Sequence, residues 1–279
     1  MAEDRNNTME ENKTVQTEEK KDSEKKSSKE DYFANLNYSD LEISMEAMIK
    51  KGVHFGHQKS RKNPKMEEYI FGTRKGINLI DLQKTEEKLR EALEFIKKVR
   101  SEGKEILFVG TKKQIKEIVK EAAIFCNMPF VTERWLGGTF TNFKIIRGRA
   151  KYLKDLKETI DKGEAKKYTK FEQMKMQEEL DKLEIKMGGI KDMKDLPGAV
   201  FVTDIKENDL AIKEAKRAGV PVVALSDTNV DPTIVDYPIP ANDDAISSVR
   251  LMLSYICKAI IESKQIVVEE NKAIENLGE

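Results

Sequence analysis

The sequence predicts an α/β protein in which helices cover both faces of a parallel β-sheet. Continuous apolar runs such as Ile106–Val109 and Ala199–Val202 are typical of strands that are buried on both faces. Segments with apolar residues every three or four positions alternate with these runs, as helices do between parallel strands. A long charged stretch with a different spacing separates the two halves of this pattern.

The folded region is expected to begin with a short helix that Ser44 caps. Residues 69–72 and the alternating residues 77–82 predict two short strands. From Thr85 a helix follows, with apolar residues four, three and three positions apart, and Gly103 ends it. Its apolar positions are Leu89, Leu93, Ile96 and Val99.

After the strand Ile106–Val109 the alternation continues to the C-terminal part of the chain. The predicted elements are a turn at Gly110, a helix over 115–122, short strand 130–131, strand 199–202, helix 210–218 closed by Gly219, and strand 220–225. Residues 242–244 cap a last helix, which is expected to bury Ile246, Val249, Leu253, Ile256 and Ile260.

The stretch between the halves, residues 144–195, has the spacing of two packed helices. Ile146, Leu153 and Ile160 recur every seven residues. After Gly163 a second series is spaced four, three and four, with members Met176, Leu180, Leu183 and Met187. This pattern predicts an inserted, protruding antiparallel coiled-coil hairpin. The alternative is a solvated helical insertion without a partner.

The two ends of the chain contrast with the folded region. Residues 1–40 contain few apolar side chains and many Glu, Lys, Ser and Asn, which predicts a disordered acidic tail. The α/β domain is expected to span 41–143 and 196–263, and an acidic C-terminal tail to span 264–279. No apolar run approaches about 20 residues and the N-terminus lacks a secretory pattern, so we expect a cytosolic protein. Cys126 and Cys257 are expected to be buried free thiols.

Charge is distributed unevenly, although the 50 basic and 50 acidic side chains give a net charge of zero. Residues 1–42 hold 12 acids and 7 bases, a balance of −5, whereas residues 50–75 hold 8 bases and 2 acids, a balance of +6. Residues 144–195 hold 15 bases and 11 acids, a balance of +4. Phosphate binding requires local positive charge, and these two regions supply it.

The basic run 59–65 is a candidate phosphate-binding loop. Asn63 and Pro64 favour an extended turn, and two further cations follow closely in the sequence. The candidate RNA-binding residues are Lys59, Arg61, Lys62, Lys65, Arg74 and Lys75. A charge run is more often merely solvated surface, so this interpretation competes with a structural one.

Residues 134–143 combine an Arg, the single Trp, other aromatic residues and a Gly pair. Arg134 and the aromatic rings can stack on unpaired bases. Equally, Trp135 and Phe140 can fill a gap beneath the predicted hairpin, and the two interpretations are compatible.

Candidate enzyme sites are weak. His54 and His57 are framed by glycines, and no nearby Cys or paired carboxylate completes a metal set. We therefore expect both histidines to pack or hydrogen-bond while shaping a loop, with metal binding as the alternative, and we expect no cofactor. The turn at Gly110 lacks both glycine-rich nucleotide fingerprints. A nucleotide-binding α/β enzyme that uses Gly110 with Asp204 or Asp227 at strand ends remains the alternative. A signalling receiver of the same fold is disfavoured, because the acidic cluster expected after its first strand is missing and because a receiver would not explain the hairpin.

Several motifs occur in order from about Ile43 to Ile260. They are VHFGH at 53–57, NPKM at 63–66, IDLQKT at 80–85, FVGTKK at 108–113, RWLGGT at 134–139, DTN at 227–229, PIP at 238–240 and NDDA at 242–245. Together they resemble the signatures of bacterial small-subunit ribosomal protein two. The sequence departs from the family at Lys62, which is usually Trp, and at Ala241, which is usually Gly.

The resemblance implies a flavodoxin-like (Rossmann-like) fold with an inserted coiled-coil hairpin, and a non-catalytic role on the ribosome. It implies a position between the head and body of the small subunit, in contact with its RNA and with neighbouring ribosomal proteins. It also implies recruitment of the large ribosomal protein that binds messenger RNA. Arg134, Arg147 and Arg149 are second-line RNA-binding candidates. Contacts to RNA phosphates would then position the protein without distinguishing one RNA sequence from another.

Overall fold

The computed structural model describes residues 32–38 and 41–277, with the backbone alone for Lys166 and for 264–277. The chain divides into two compact units, Met1–Tyr38 and Ser39–Glu279. In the first unit the rings of Tyr32 and Phe33 meet edge to face, with centroids 5.3 Å apart. Apart from residues 32–38, the predicted acidic tail of residues 1–40 lies outside the described residues.

The second unit contains eight strands and seven α-helices within the described residues. The strands are β1 (Phe55–Gln58), β2 (Ile70–Arg74), β3 (Ile77–Ile80), β4 (Ile106–Val109), β5 (Phe130–Val131), β6 (Ala199–Val202), β7 (Val222–Ser226) and β8 (Tyr237–Pro240). The helices are α1 (Met45–Lys50), α2 (Leu82–Ser101), α3 (Lys116–Phe125), α4 (Phe143–Asp161), α5 (Lys170–Met187), α6 (Asp209–Ala218) and α7 (Ile246–Leu277).

Strands β4 to β8 form one parallel sheet in the order β5-β4-β6-β7-β8. Numbered along the chain this order is 2-1-3-4-5, the arrangement of flavodoxin-like doubly wound sheets. The predicted α/β class with a parallel sheet is therefore confirmed. Its switch point, where chain direction across the sheet reverses, lies between β4 and β6.

Both faces of the parallel sheet are buried, as the apolar runs predict. On one face Leu107, Val200 and Val222 belong to a core that also contains Ile212 of α6 and Leu153 of α4. Alternate residues point to the opposite face, where helices α2, α3 and α7 pack together. There the rings of Phe108 and Phe201 meet at a centroid distance of 5.7 Å, with both side chains fully buried.

A second, antiparallel sheet has the order β1-β3-β2, and the sequence did not predict it as a separate unit. Thr228, which follows β7, attaches this sheet to the parallel sheet. Its hydroxyl oxygen accepts from the His57 backbone N–H at 2.9 Å, and its carbonyl accepts from Asn63 N–H at 2.8 Å. A Cβ atom at Gly56 would lie 2.5 Å from Cγ2 of Thr228, so this approach requires glycine.

Some element boundaries differ from the prediction. Helix α2 begins at Leu82 rather than Thr85, because the Asp81 side chain accepts a hydrogen bond from Gln83 N–H and caps it. Strand β8 was not predicted, since two of its residues are proline, which sheets tolerate at an edge strand such as this one. Ile246 is 45% exposed rather than buried, because it lies at the first residue of α7.

Helices α4 and α5 pack against each other across a short link that contains Gly163 in the left-handed region. The contact uses the predicted positions: Ile146, Leu153, Leu180 and Met187 are buried, and Ile160, Met176 and Leu183 pack partly buried beside them. Lys157 of α4 and Glu184 of α5 add an ion pair at 3.3 Å.

Cys126 and Cys257 are buried free thiols, as predicted. Burial and contact with Cys126 raise the pKa of the Cys257 thiol. Across residues 32–38 and 41–277 no helix has both the length and the apolar character needed to span a bilayer.

Candidate nucleic-acid interface

The structure brings the two ends of the predicted basic region together at one end of the antiparallel sheet. The backbone N–H of Lys59, just after β1, donates to the carbonyl of Gly76 at 2.9 Å. Gly76 forms the β2–β3 turn with Lys75, and both have positive φ. Strand pairing aligns Ile77 of β3 with Gln58 on one side and Arg74 on the other. Residues far apart in sequence therefore meet at this turn.

We define the basic surface as Lys59, Arg61, Arg74 and Lys75. All four side chains are exposed. Within the described part of the chain, none of the four forms an ion pair with a carboxylate. Their positive charge is therefore balanced by solvent ions, and these are what a polyanion displaces on binding.

Lys62 and Lys65, the other two candidates, have acidic partners. Lys62 forms an ion pair with Glu67. Lys65 Nζ lies 2.6 Å from Oδ2 of Asp231 and donates to the Thr233 hydroxyl at 3.2 Å. This contact with Lys65 lowers the pKa of Asp231. Both lysines hold the loop against neighbouring segments, so they contribute less free charge than the four residues of the basic surface.

The second-line candidates lie elsewhere in the fold. Arg134 follows β5, Arg147 and Arg149 lie on α4, and all three are exposed. Trp135 and Phe140 are buried and pack edge to face with centroids 5.0 Å apart. The structure thus supports the gap-filling interpretation of these two rings, and neither is presented to a base.

A buried carboxylate holds the segment that carries Arg134. Glu214 of α6 is only 4% exposed. Its two oxygens accept from the backbone N–H groups of Gly138 at 2.7 Å and Phe140 at 3.1 Å. Charge-assisted hydrogen bonds of this kind are stronger than neutral ones, so Glu214 fixes the backbone between β5 and α4.

A cluster of charged side chains occupies the carboxyl ends of the parallel strands. Lys112, after β4, places Nζ 2.5 Å from Asp204 and 2.9 Å from both Asp243 and Asp244. Burial lowers the pKa of Lys112, but the charge of Asp243 and the hydrogen bonds to all three aspartates raise it more, so the net shift is upward. Burial and the nearby carboxylates of Asp204 and Asp227 raise the pKa of Asp243 to about 7.

His57 joins this cluster from β1. Its Nδ1 lies 3.1 Å from Oδ2 of Asp227, and its Nε2 lies 3.3 Å from Oδ2 of Asp244. The Asp227 carboxylate raises the pKa of His57. Nevertheless, Nδ1 of His57 and Oδ2 of Asp227 are buried without a correctly aligned hydrogen-bond partner among the described residues. His54 stays outside the cluster, with its ring against Phe55 at a centroid distance of 4.0 Å.

The arrangement can hold a divalent cation, which the sequence did not predict. One ligand atom each from His57, Asp227 and Asp243 lies within 4.8 Å of the others. One imidazole and two carboxylates form a donor set that suits zinc. A cation would also offset the excess of carboxylates over cations in this buried cluster.

The same cluster argues against a nucleotide at the switch point. Lys112 bridges to Asp204 directly between the ends of β4 and β6, where doubly wound enzymes bind their ligands. The remaining aspartates would repel phosphate. A Cβ at Gly110 would lie 2.7 Å from both Thr203 Oγ1 and Val119 Cγ2, so close packing accounts for this glycine.

Sequence reasoning missed how these residues combine. Asp204 and Asp227 were recognised as strand-end acids, and residues 242–244 as a helix cap. The available signal was that acidic residues follow β6, β7 and β8 in turn, since the carboxyl ends of parallel strands share one edge. The partners Lys112 and His57 come from distant segments that no spacing rule connects.

Comparison with known proteins adds sequence similarity to this geometry. The family model described as Ribosomal protein S2 matches residues 48–263. The protein described as small ribosomal subunit protein uS2 from Roseiflexus sp. (strain RS-1) is 50% identical over 222 residues, which cover 80% of this chain and 85% of that protein. The protein with the same description from Roseiflexus castenholzii is also 50% identical over 222 residues, 80% of this chain and 84% of that protein.

Proposed function

The chain belongs to the ribosomal protein S2 family, and from this premise we propose that its basic surface binds small-subunit ribosomal RNA between the head and body of the subunit. As a member of this family it is a structural component of the small ribosomal subunit, a ribonucleoprotein that acts in translation, and not an enzyme. We expect it in the cytoplasm, on the ribosome.

The observation that supports RNA binding is the local imbalance of charge. Lys59, Arg61, Arg74 and Lys75 come from two segments that meet through the Lys59–Gly76 hydrogen bond. Because no described carboxylate neutralises them, RNA phosphates can displace their counterions and gain free energy. Such contacts fix orientation, while RNA shape and neighbouring proteins would supply specificity.

The attachment of the basic surface to the sheet supports a rigid mode of binding. Thr228 holds both His57 and Asn63, and Lys65 is tied to Asp231. Little backbone freedom of the loop would be lost on binding, which favours affinity. Arg134, Arg147 and Arg149 are kept as secondary contacts, and Lys62 and Lys65 as positioning residues that can still approach phosphate.

The proposed organisation keeps the sequence-based boundaries. The α/β domain comprises 41–143 and 196–263, and the packed helices of 144–195 form a protruding coiled-coil hairpin. Residues 1–40 form an acidic tail that avoids RNA, and residues 264–279 form a second acidic tail. The proposed partners are small-subunit ribosomal RNA, neighbouring small-subunit proteins and the large ribosomal protein that binds messenger RNA. No membrane is involved.

The test compares two charge reversals of equal size. Arg61→Glu with Arg74→Glu alters the basic surface, and Lys98→Glu with Lys120→Glu alters exposed lysines on α2 and α3. Each pair is incorporated into small subunits at several salt concentrations. We expect the first pair to lower occupancy and to reduce the salt slope by about 1 for each phosphate that the protein no longer neutralises.

The control pair should incorporate like the unaltered protein, because it changes net charge without changing the basic surface. Circular dichroism checks that both variants remain folded. Equal occupancy and equal salt slopes for the two pairs would show that the basic surface does not bind RNA.

A further inference from the structure

The only two cysteines of the chain lie side by side, although they are far apart in the sequence. Cys126 directly follows α3, and Cys257 lies on α7, which packs against α3. The carbonyl oxygen of Ala122 in α3 accepts from the backbone N–H of Cys126 at 3.0 Å, and the Cys257 thiol donates to the same oxygen at 3.8 Å. The two thiols also contact each other. They therefore form a pair at the place where the two helices meet.

The two thiols differ in their access to solvent. Cys257 is 0% exposed, whereas Cys126 is 8% exposed and lies between Phe125 and Asn127, which are both exposed. Burial raises the pKa of the Cys257 thiol, so this thiol stays protonated. A single buried cysteine usually packs as a small apolar side chain. In this pair, however, the more exposed thiol can react with a small solute, and the buried thiol is in place to react with the product.

A cation of α2 interacts electrostatically with the more exposed thiol. Burial lowers the pKa of Arg100, and the negative charges of Glu105 and of the Cys126 thiolate partly offset that effect. Nη1 of Arg100 donates to the carbonyl of Lys104 at 2.6 Å, but its Nε is buried without an aligned partner among the described residues. A guanidinium near a sulfur stabilises the negative charge that the sulfur carries when it attacks an oxidant.

We propose that Cys126 and Cys257 form a redox modification site, at which a hydroperoxide converts the two thiols into a disulfide that joins α3 to α7. In the first step the Cys126 sulfur attacks one peroxide oxygen. An S–O bond forms, the O–O bond breaks, and the thiol proton leaves with the second oxygen as water or an alcohol. In the second step the Cys257 sulfur displaces the hydroxyl group of this sulfenic acid, which leaves as water with the Cys257 proton. Two electrons pass from the sulfurs to the peroxide.

The arrangement favours a disulfide over deeper oxidation. A sulfenic acid that no thiol reaches is oxidised further, to sulfinic acid. The Cys257 thiol already contacts Cys126, so the second step needs no diffusion. The new bond would also close a long loop between two helices and thereby restrict the unfolded chain. This modification does not depend on RNA binding by the basic surface.

The test uses the purified, reduced full chain with hydrogen peroxide as the probe. After treatment the free thiols are counted in denaturant, and peptides are analysed by mass spectrometry without reduction. We expect the count to fall from two to zero, with one peptide pair joined through Cys126 and Cys257 and a mass lower by about 2 Da. Dithiothreitol should restore both thiols. The oxidised chain should keep its circular dichroism spectrum and gain roughly 5–15 °C in Tm.

Two single variants test the order of the steps. Cys257→Ala removes the second thiol, so the sulfenic acid at Cys126 should persist and react with dimedone. Cys126→Ala leaves only the buried thiol, which should be oxidised at least about tenfold more slowly than Cys126 in the first variant. Circular dichroism checks that both variants are folded. If either variant is unfolded, the joined peptide pair of the unaltered chain still decides whether the disulfide forms.

Several results would overturn the proposal. Two thiols that survive the treatment would show that the pair is inert packing. Disulfides between separate chains, or sulfinic acid at Cys126 without a disulfide, would show that Cys257 does not react with the oxidised partner. A disulfide that lowers Tm or changes the circular dichroism spectrum would show that the bond forms only in unfolded chains. Equal oxidation rates in the two folded variants would show that the roles assigned to the two cysteines are wrong.

Discussion

Two groups of charged residues, one beside each sheet, differ in how their charge is balanced. At the ends of the parallel strands, Lys112 is mostly buried and contacts three aspartates of the same chain. In the basic surface, Arg61 and Arg74 are exposed and meet no carboxylate among the described residues. A buried charge must be balanced inside the chain because water cannot solvate it. An exposed unpaired charge is balanced by ions that RNA can replace.

The difference explains why the number of basic residues in a segment is a poor guide to binding. Lys62 and Lys65 belong to the same run as Arg61, yet Glu67 and Asp231 already neutralise them. The partners of a cation decide whether it stabilises the fold or attracts a ligand. Four predictions test this distinction, in order of decreasing effect.

The largest effect is expected for Lys112→Met. It leaves Asp204 and Asp243 buried beside each other without their cation. Removing one partner of a buried ionic group costs about 3–5 kcal/mol, and this should appear as a lower free energy of unfolding in urea. Lys113→Met, at the exposed neighbouring residue, should change stability by less than about 0.5 kcal/mol. A similar loss in the free energy of unfolding for both variants would show that the buried lysine stabilises the fold no more than an exposed one.

Zinc is expected to stabilise the buried cluster. At 100-fold excess over its dissociation constant, a ligand of the folded state adds about 2.7 kcal/mol. In a domain of this size that raises Tm by roughly 5–10 °C. Asp227→Asn should abolish the rise, and Asp231→Asn, four residues away and outside the cluster, should retain it. A rise that survives Asp227→Asn would place the zinc elsewhere.

Glu214→Gln tests a buried acid that binds backbone rather than a cation. The amide keeps the size of the side chain but offers one acceptor where the carboxylate offers two, to Gly138 and Phe140. We expect a loss of about 1–3 kcal/mol in the free energy of unfolding. Glu207→Gln, at an exposed position before α6, is the matched control and should be neutral. A neutral Glu214→Gln variant would show that the loop is held by packing alone.

The smallest effect compares two neighbouring cations in RNA binding. Arg61→Ala should reduce the salt slope by about 1, because an unpaired cation is removed. Lys65→Ala should change it less, because Asp231 already balances that charge. The two single variants are titrated with small-subunit ribosomal RNA between low and moderate salt. A larger change for Lys65→Ala would reverse the ranking proposed for these residues.

Local sequence patterns predicted most of the fold. Continuous apolar runs identified β4 and β6, because these strands are buried on both faces. The spacing of Leu89, Ile96 and Val99 identified α2, because only one face of that helix is buried. β1 escaped because Gly56 and His57 break any apolar alternation. Only its pairing with β3, Phe55 with Leu79 and Gln58 with Ile77, makes that segment a strand.

The candidate site was predicted only in part for a related reason. The run of basic residues was visible in the sequence, but its division into paired and unpaired cations depends on Asp231, which is distant in the chain. The cluster of Lys112, His57 and the aspartates joins segments that meet only in the folded sheet. Apart from the acidic residues that follow β6, β7 and β8 in turn, contacts of this kind leave no trace in spacing or composition.

The bond between His57 and Thr228 also has a consequence for biosynthesis, because it spans 171 residues. A ribosome that adds about 5–20 residues per second needs roughly 10–30 s to proceed from one partner to the other. During that interval the nascent β1–β3 segment has no strand end to dock on. Completion of β7 is therefore the step that lets the nascent β1–β3 segment dock on the parallel sheet.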